Sequence, residues 1–167
     1  LPEVKEGKWS FRQLFVNGQR RCRPRLPKGG HFQVLSQPGV DWKKSDYRTP
    51  ADKFEFKAGD LKASWHNLAD VELVILHYWV DSHLKIKSVD EAARVVELDR
   101  KTRRKLTADF RAEGAPYYAD NVREALDAPG QWYLDRPAGR LFYLPTEGEQ
   151  PATTAVVAPR LTSVLRI

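Results

Sequence analysis

The sequence predicts a single mostly-β domain over residues 1–167, β-sandwich-like (immunoglobulin-like), with one or two short helical turns. Two turn signals lie between extended segments, at Asn17-Gly18 and at residues 136–139. Several short segments rich in β-branched and aromatic residues lie between these two hairpin signals, and the helix signals span only a few residues each. Many short strands separated by turns are typical of a sandwich-like fold.

The first strands are expected at residues 13–16 and 19–23, joined as a hairpin. Asn-Gly is the strongest short hairpin signal, because both central residues of a type I′ turn need a positive φ. The returning strand has to end near Pro24 and Pro27, since proline cannot donate to a ladder. Residues 28–47 are rich in Gly, Pro and polar residues and predict a long loop that covers a surface or contacts a partner.

The centre of the chain carries the strongest strand pattern. Residues 53–56 alternate as a strand does, and Asp60 is a candidate N-cap for a helical turn over residues 61–65. Residues 71–80 are the most apolar run and contain no Gly or Pro, which predicts a central strand buried on both faces. Two further strands are expected at residues 83–89 and 93–98.

The last third predicts one short helix and a second hairpin. Asp120 or Asn121 could cap a helix over residues 122–126, which Pro129-Gly130 would end. The hairpin runs through residues 131–145, and its aromatic side chains predict cross-strand packing, with a carbohydrate platform as the alternative. These aromatic residues are Trp132, Tyr133, Phe142 and Tyr143. Residues 147–154 predict a polar linker, and residues 161–167 begin one more strand.

The net charge of +6 is concentrated near the start of the chain. Residues 1–50 hold eleven Lys and Arg against four Asp and Glu, which predicts a local anionic partner or a basic seam against another domain. Cys22 is the only cysteine, so no internal disulfide can form. No segment reaches the ~20 apolar residues of a membrane span. The chain contains no Met, from which we expect a mature product or an excised fragment.

Several segments of the sequence, taken in order, resemble a known family. They are residues 12–20 with Arg25 and Pro27, residues 65–73, residues 88–90, residues 121–135 and residues 139–145. Together they resemble the bacterial right-handed parallel β-helix glycoside hydrolases, the group that includes β-xylosidase, fucosidase and xylanase-like members. The second hairpin is the segment most specific to this family. Gln131 departs from the pattern, which often has an acid there.

The resemblance implies a β-rich domain that is normally inserted in a parallel β-helix. Residues 1–10 and 155–167 are then expected as junctions to that helix, whose later coils would carry the catalytic carboxylates. The implied partners are the β-helix domain of the parent chain and a polysaccharide or oligosaccharide substrate. The implied location is secreted or periplasmic in a bacterium.

A candidate sugar-contacting edge lies at the end of the apolar strand. His77, Trp79, Asp81 and His83 alternate, so on a continuing strand they would share one face. Trp79 offers an apolar ring face, and His77, Ser82 and His83 offer hydrogen bonds, while the structural alternative is an aromatic core residue beside two surface histidines. One metal ion bound by both histidines is not favoured, because six residues of extended strand separate them by roughly 20 Å.

A row of arginines forms the second candidate site. Arg21, Arg23 and Arg25 would share one strand face, and Arg20 extends the row without an interrupting acid. Such a row could bind uronic acids, sulfated sugars or phosphates through bidentate contacts. Nucleic acid is not favoured, because the aromatic residues flank the row and do not interleave it. The structural alternative, which we favour, is a salt-bridged seam against a neighbouring domain.

The carboxylates do not form a recognisable catalytic pair. Glycoside hydrolysis usually needs two carboxyl groups roughly 5–9.5 Å apart. Asp60 and Asp120 are explained as helix caps, and Asp135 as the residue that leads into a turn. We therefore predict no catalytic residue, metal site or cofactor here, and a non-catalytic domain that shapes the substrate cleft of a polysaccharide-degrading hydrolase. The alternative is a stand-alone binding module for anionic polymers, acidic sugars or nucleic acid, on residues 20–25.

Overall fold

The computed structural model describes residues 1–110 and 113–161. One short helix, α1 (Pro2–Lys5), precedes the strands, and 3₁₀ turns occur at Leu68–Asp70 and Arg123–Ala125. The strands are β1 (Leu14–Val16), β2 (Gln19–Arg21), β3 (Arg25–Leu26), β4 (Phe32–Gln33), β5 (Lys53–Glu55), β6 (Glu72–His77), β7 (Val80–Asp90), β8 (Val95–Leu98), β9 (Pro116–Asp120), β10 (Trp132–Asp135), β11 (Arg140–Tyr143) and β12 (Val156–Val157). The fold is mostly β with several antiparallel sheets, as predicted. Within the described residues, no helix combines the length and apolar character that a bilayer span requires.

The chain divides into two compact units. The first unit combines Leu1–Pro24 with Arg123–Ile167, and the second unit is Arg25–Val122. The first unit contains a three-stranded sheet in the order β12-β1-β2 and the two-stranded sheet β10-β11. The second unit contains the seven-stranded sheet, in the order β3-β9-β6-β7-β8-β5 with β4 paired to β9.

Both predicted hairpins form in the first unit. Asn17 and Gly18 have φ angles of 50° and 75° between β1 and β2, as a type I′ turn requires. Strands β10 and β11 pair from Trp132↔Tyr143 to Asp135↔Arg140. The carboxylate of Asp135 accepts a hydrogen bond from the Ala138 amide at 3.1 Å, which is the turn role expected for this acid.

The core of the first unit forms where the inward faces of both hairpins meet helix α1. Phe11 stacks on Trp132 with ring centroids 5.4 Å apart. Around this pair pack the buried side chains of Val4, Leu14, Val16 and Leu134. Residues near both ends of the described chain meet in this unit: the Arg160 guanidinium donates to both carboxylate oxygens of Glu3, each at 2.7 Å.

Strand β6 lies inside the sheet of the second unit, between β9 and β7. Its residues Glu72, Leu73, Val74 and Ile75 are all buried, which confirms the predicted strand with two buried faces. The strand ends at His77, however, because Tyr78 takes a φ of 56° and the chain reverses into β7. The predicted strands near residues 53–56, 83–89 and 93–98 correspond to β5, β7 and β8.

Other predictions at element level need correction. Residues 61–65 form no helix, and Asp60 caps none: its carboxylate accepts a hydrogen bond from the Tyr117 hydroxyl at 3.3 Å. The short helix expected at residues 122–126 is only the 3₁₀ turn Arg123–Ala125. Strands β3, β4, β9 and β12 were not predicted as separate strands. The strand expected at residues 161–167 lies outside the described residues except for Leu161, which is in no strand.

Candidate functional site

The β6–β7 turn presents an exposed indole. Tyr78 and Trp79 form the two-residue connection between paired residues His77 and Val80, and the Trp79 side chain is 63% exposed. The Tyr78 amide donates to the Ala108 carbonyl at 2.8 Å, which ties the turn to the loop that follows β8. The Tyr78 hydroxyl lies 2.8 Å from Oγ1 of Thr107. Trp79 is therefore exposed on a turn that hydrogen bonds hold in place.

Four aromatic rings gather around this turn, and we call them the aromatic cluster: Tyr47, Tyr78, Trp79 and Phe110. The ring centroid of Phe110 lies 6.0 Å from that of Trp79, 5.7 Å from that of Tyr47 and 5.0 Å from that of Tyr78. Phe110 is 69% exposed, so two large apolar side chains of the cluster face solvent together. An exposed group of this kind is more typical of a contact surface than of a core.

Two guanidinium groups lie over these rings. The Arg104 carbon Cζ is 5.1 Å from the ring centroid of Tyr47 and 5.8 Å from that of Trp79. Arg48 lies over the Tyr47 ring at 5.1 Å. Cation–π contacts of about 0.5–1 kcal/mol at exposed sites favour this arrangement of ring and cation. The surface therefore combines apolar ring faces with positive charge.

A buried lysine positions the loop that carries Tyr47. Lys105 is 4% exposed, and its ammonium donates to the carbonyls of Trp42 at 2.7 Å and Ser45 at 3.1 Å. Its own amide donates to the Tyr47 carbonyl at 3.0 Å. A buried charge is tolerated only when hydrogen bonds replace its water. The segments that carry Tyr47 and Arg104 are thus tied together.

His77 lies beneath the turn and is 1% exposed. Its Nδ1 is 3.2 Å from the Lys105 carbonyl, and its Nε2 is 2.7 Å from the Ser82 hydroxyl. Burial lowers the pKa of His77, which favours the neutral ring. A carbonyl can only accept, so Nδ1 carries the proton and Nε2 accepts from Ser82. Both side chains are therefore engaged with each other inside the hairpin.

His83 lies on the other face of the sheet. Its Nε2 is 3.2 Å from Asp81, and its Nδ1 is 3.4 Å from the buried carboxylate of Glu72. The expectation that His77, Trp79, Asp81 and His83 share one face is wrong, because the chain reverses at Tyr78-Trp79. Within the described residues, no group of three or more His, Cys, Asp or Glu side chains could hold a metal ion.

The arginine row does not follow one strand. Strand β2 ends at Arg21, and Arg25 belongs to β3 of another sheet, so the expectation of one strand face across Arg21, Arg23 and Arg25 is wrong. Arg20 is exposed, and Arg23 is half-buried. Arg25 lies over the Tyr118 ring at 4.1 Å and donates to the Gly30 carbonyl at 2.7 Å.

Arg21 is bound within its own unit by Glu149. Its Nη2 is 2.5 Å from Oε1 of Glu149, whose side chain is only 6% exposed. The Tyr143 hydroxyl and the Thr146 amide donate to the other carboxylate oxygen, at 2.6 Å and 2.7 Å. The Tyr143 hydrogen bond, followed by these other donors, lowers the pKa of Glu149 to about 2. Arg21 is thus part of a local network.

The aromatic residues of the second hairpin mostly pack inside the first unit. Trp132 and Tyr133 are fully buried, and the Trp132 indole donates to the Arg21 carbonyl at 3.2 Å. Tyr133 and Phe142 are cross-strand neighbours with ring centroids 6.4 Å apart. This geometry favours the packing alternative for these residues over a carbohydrate platform. Cys22 is a free, exposed thiol.

Sequence reasoning found Trp79 but missed the side chains around it. Tyr47, Arg104 and Phe110 come from segments far apart in the chain, and no local pattern joins them. One signal was available: residues 100–105 hold five cations in six positions. The acids nearest to this run in the sequence, Glu97, Asp99 and Asp109, are fewer than its five cations.

Comparisons with known proteins agree with this architecture. A family model described as "GH141 insertion domain" matches residues 1–146. A solved structure titled "Glycoside hydrolase" is similar with a TM-score of 0.66 and 26% identity, over 90% of this chain and 26% of that one. The present chain thus spans about a quarter of that protein. No curated protein matches. Because the family model covers most of its length, the chain belongs to the GH141 insertion domain family.

Proposed function

We propose that the chain is a non-catalytic accessory domain that forms one wall of the substrate cleft in a parent glycoside hydrolase. The parent's catalytic domain would be a parallel β-helix of the β-xylosidase, fucosidase and xylanase-like group, secreted or periplasmic in a bacterium. Membership of an insertion-domain family supports the accessory role. The similar glycoside hydrolase is much longer than this chain, which leaves room for a separate catalytic domain.

The aromatic cluster carries the substrate contact in this proposal. Trp79 and Phe110 offer exposed ring faces, and sugar rings stack their C–H faces on such surfaces. The rings rest on a hydrogen-bonded turn and on a loop tied by Lys105, so little order has to be gained when a sugar binds. His77 and Ser82 support the turn from inside, and His83 lies on the opposite face of the same hairpin.

Kinetics of the parent enzyme test the proposal. Removal of the indole in Trp79→Ala should lower kcat/KM on the polysaccharide by about 2–12-fold, which corresponds to the ~0.5–1.5 kcal/mol of one aromatic contact. Hydrolysis of a small aryl glycoside should be unchanged, because that substrate does not reach the cleft wall. Leu35→Ala is the matched control, since Leu35 is also exposed, at 47%, but lies outside the cluster.

Two results would contradict the proposal. Equal losses on both substrates would mean that Trp79 acts through the fold and not through the cleft. Hydrolysis of aryl glycosides by the purified chain itself, at an ordinary turnover, would mean that the domain is a catalyst.

The alternative from the sequence, an anionic-polymer module on Arg20, Arg21, Arg23 and Arg25, receives less support. Arg21 is paired with Glu149, and Arg25 packs on Tyr118.

A further inference from the structure

We propose that the aromatic cluster, together with Arg104 and Arg48, is a binding site for a uronic acid residue of the saccharide. This inference rests on the proposed cleft-wall function and adds the chemical class of the sugar. Three features of the surface lead to it: the ring faces, the positions of the guanidinium groups over the rings, and the positive charge of those groups.

The ring faces fix where a sugar would lie. The Trp79 and Phe110 rings are inclined by 36° with centroids 6.0 Å apart, so they form a shallow angle and not a closed stack. A pyranose lying against Trp79 removes apolar surface from water on both sides. Such a contact alone does not distinguish a neutral sugar from an acidic one.

Arg104 is the residue that would distinguish an acidic sugar from a neutral one. Its guanidinium lies over both Tyr47 and Trp79, so a sugar on the indole has the charge beside it. One Nη1 proton is donated to the Arg103 carbonyl at 3.2 Å, and Nε is buried. The Nη2 protons and the second Nη1 proton remain for a ligand. Two parallel N–H donors of this kind match a planar carboxylate bidentately.

The surrounding charges favour an anion. Among the cations of residues 100–105, Arg100 pairs with Asp99, Lys101 pairs with Asp52, and the Lys105 ammonium donates to carbonyls. Within residues 1–110 and 113–161, neither Arg104 nor Arg48 forms an ion pair with a carboxylate. The Asp46 carboxylate accepts a hydrogen bond from the Arg48 amide at 2.7 Å, and the two guanidinium groups beside the exposed rings are complementary to an acidic sugar.

Calorimetric titration of the full chain tests this inference with a matched pair of ligands. The probes are a tetramer of galacturonic acid and its carboxyl-reduced form, which differ only in the acid group. We expect the uronate tetramer to bind at least tenfold more tightly than the reduced one. Arg104→Gln should lower the uronate affinity about tenfold and leave the weak binding of the reduced tetramer unchanged. Arg48→Gln should give a smaller loss of the same kind.

Arg20→Gln is the matched control, because Arg20 is an exposed arginine of the first unit and belongs to the alternative basic hairpin. Its uronate affinity should equal that of the parent sequence. If Arg104→Gln does not fold, as judged by circular dichroism, the comparison of the two tetramers and the Arg48→Gln variant still decide the question.

Three results would overturn the inference. Equal affinity for the two tetramers would make the cluster a neutral-sugar surface, and the cleft-wall function would stand. Preference for a sulfated oligosaccharide over the uronate would assign the site to another anion. Binding of neither tetramer would remove the site, and the parent-enzyme kinetics of Trp79→Ala would then decide the cleft-wall function independently.

Discussion

Replacement of the buried Lys105 by methionine tests how the loop beneath the aromatic cluster is held. Methionine keeps most of the apolar stem, so the change removes chiefly the ammonium and its two hydrogen bonds, to the Trp42 and Ser45 carbonyls. Hydrogen bonds to charged groups are worth about 1.5–3 kcal/mol each, which gives an upper bound of about 3–6 kcal/mol.

Two effects reduce that bound. The two hydrogen bonds share one ammonium, so their contributions are coupled and do not simply add. The carbonyls of Trp42 and Ser45 belong to half-buried residues, so water can replace part of what they lose. We therefore expect Lys105→Met to lower the free energy of unfolding by about 2–3 kcal/mol.

Urea denaturation followed by tryptophan fluorescence measures this loss, and Lys43→Met is the control. Lys43 is an exposed lysine of the same loop, and its replacement should change the stability by less than about 0.5 kcal/mol. Equal stability of the two variants would show that the two hydrogen bonds of Lys105 do not hold the loop. A Lys105→Met variant more stable than the parent sequence would show that desolvation of the ammonium outweighs its hydrogen bonds.

Two further predictions concern other parts of the chain. The pKa of Glu149, about 2 against an ordinary value of 4.5, means that its stabilising contribution is complete above pH 4.5 and is lost as the pH falls toward 2. Urea midpoints measured at pH 7 and pH 3 should differ less in Glu149→Gln than in the parent sequence, and an equal difference in both would refute the network with Tyr143 and Arg21. In Gly114→Ala, the new Cβ would lie 1.7 Å from the Val34 carbonyl oxygen, so the backbone around the Val34–Ala115 hydrogen bond has to shift. We expect a loss of about 3 kcal/mol or more, against less than about 0.5 kcal/mol for Gly29→Ala, where a Cβ meets nothing within 4 Å; similar thermal midpoints for the two variants would contradict this.

The elements predicted correctly are those whose signals are local. Asn17-Gly18 encodes its turn in two adjacent residues, and the apolar run that includes Leu73 and Ile75 needs burial wherever it lies. Strand β12 was missed because Val156 and Val157 are exposed and become a strand only by pairing with β1. Asp60 was assigned to a helix cap because a cap is the commonest local use of such a residue, whereas its actual partner, Tyr117, is distant in sequence.

The candidate site was only partly predictable for the same reason. Trp79 was predicted as a candidate sugar contact, but the strand through it was predicted to continue straight, because a tyrosine at a φ of 56° has no sequence signature. That single turn moved His77 and His83 to opposite faces of the hairpin. Arg104 and Phe110 contact Trp79 only in the folded sheet, and contacts between such distant segments leave no periodic pattern in the sequence.

The contact between Glu3 and Arg160 has a consequence for any chain into which this domain is inserted. These two residues are 157 positions apart in sequence, yet their side chains share a bidentate ion pair. As a flexible loop of that length, the segment would cost a host about 4–5 kcal/mol of closure entropy. In the folded domain, Glu3 and Arg160 lie next to each other, so a host chain would have to span only a short distance between its entry into the domain and its exit.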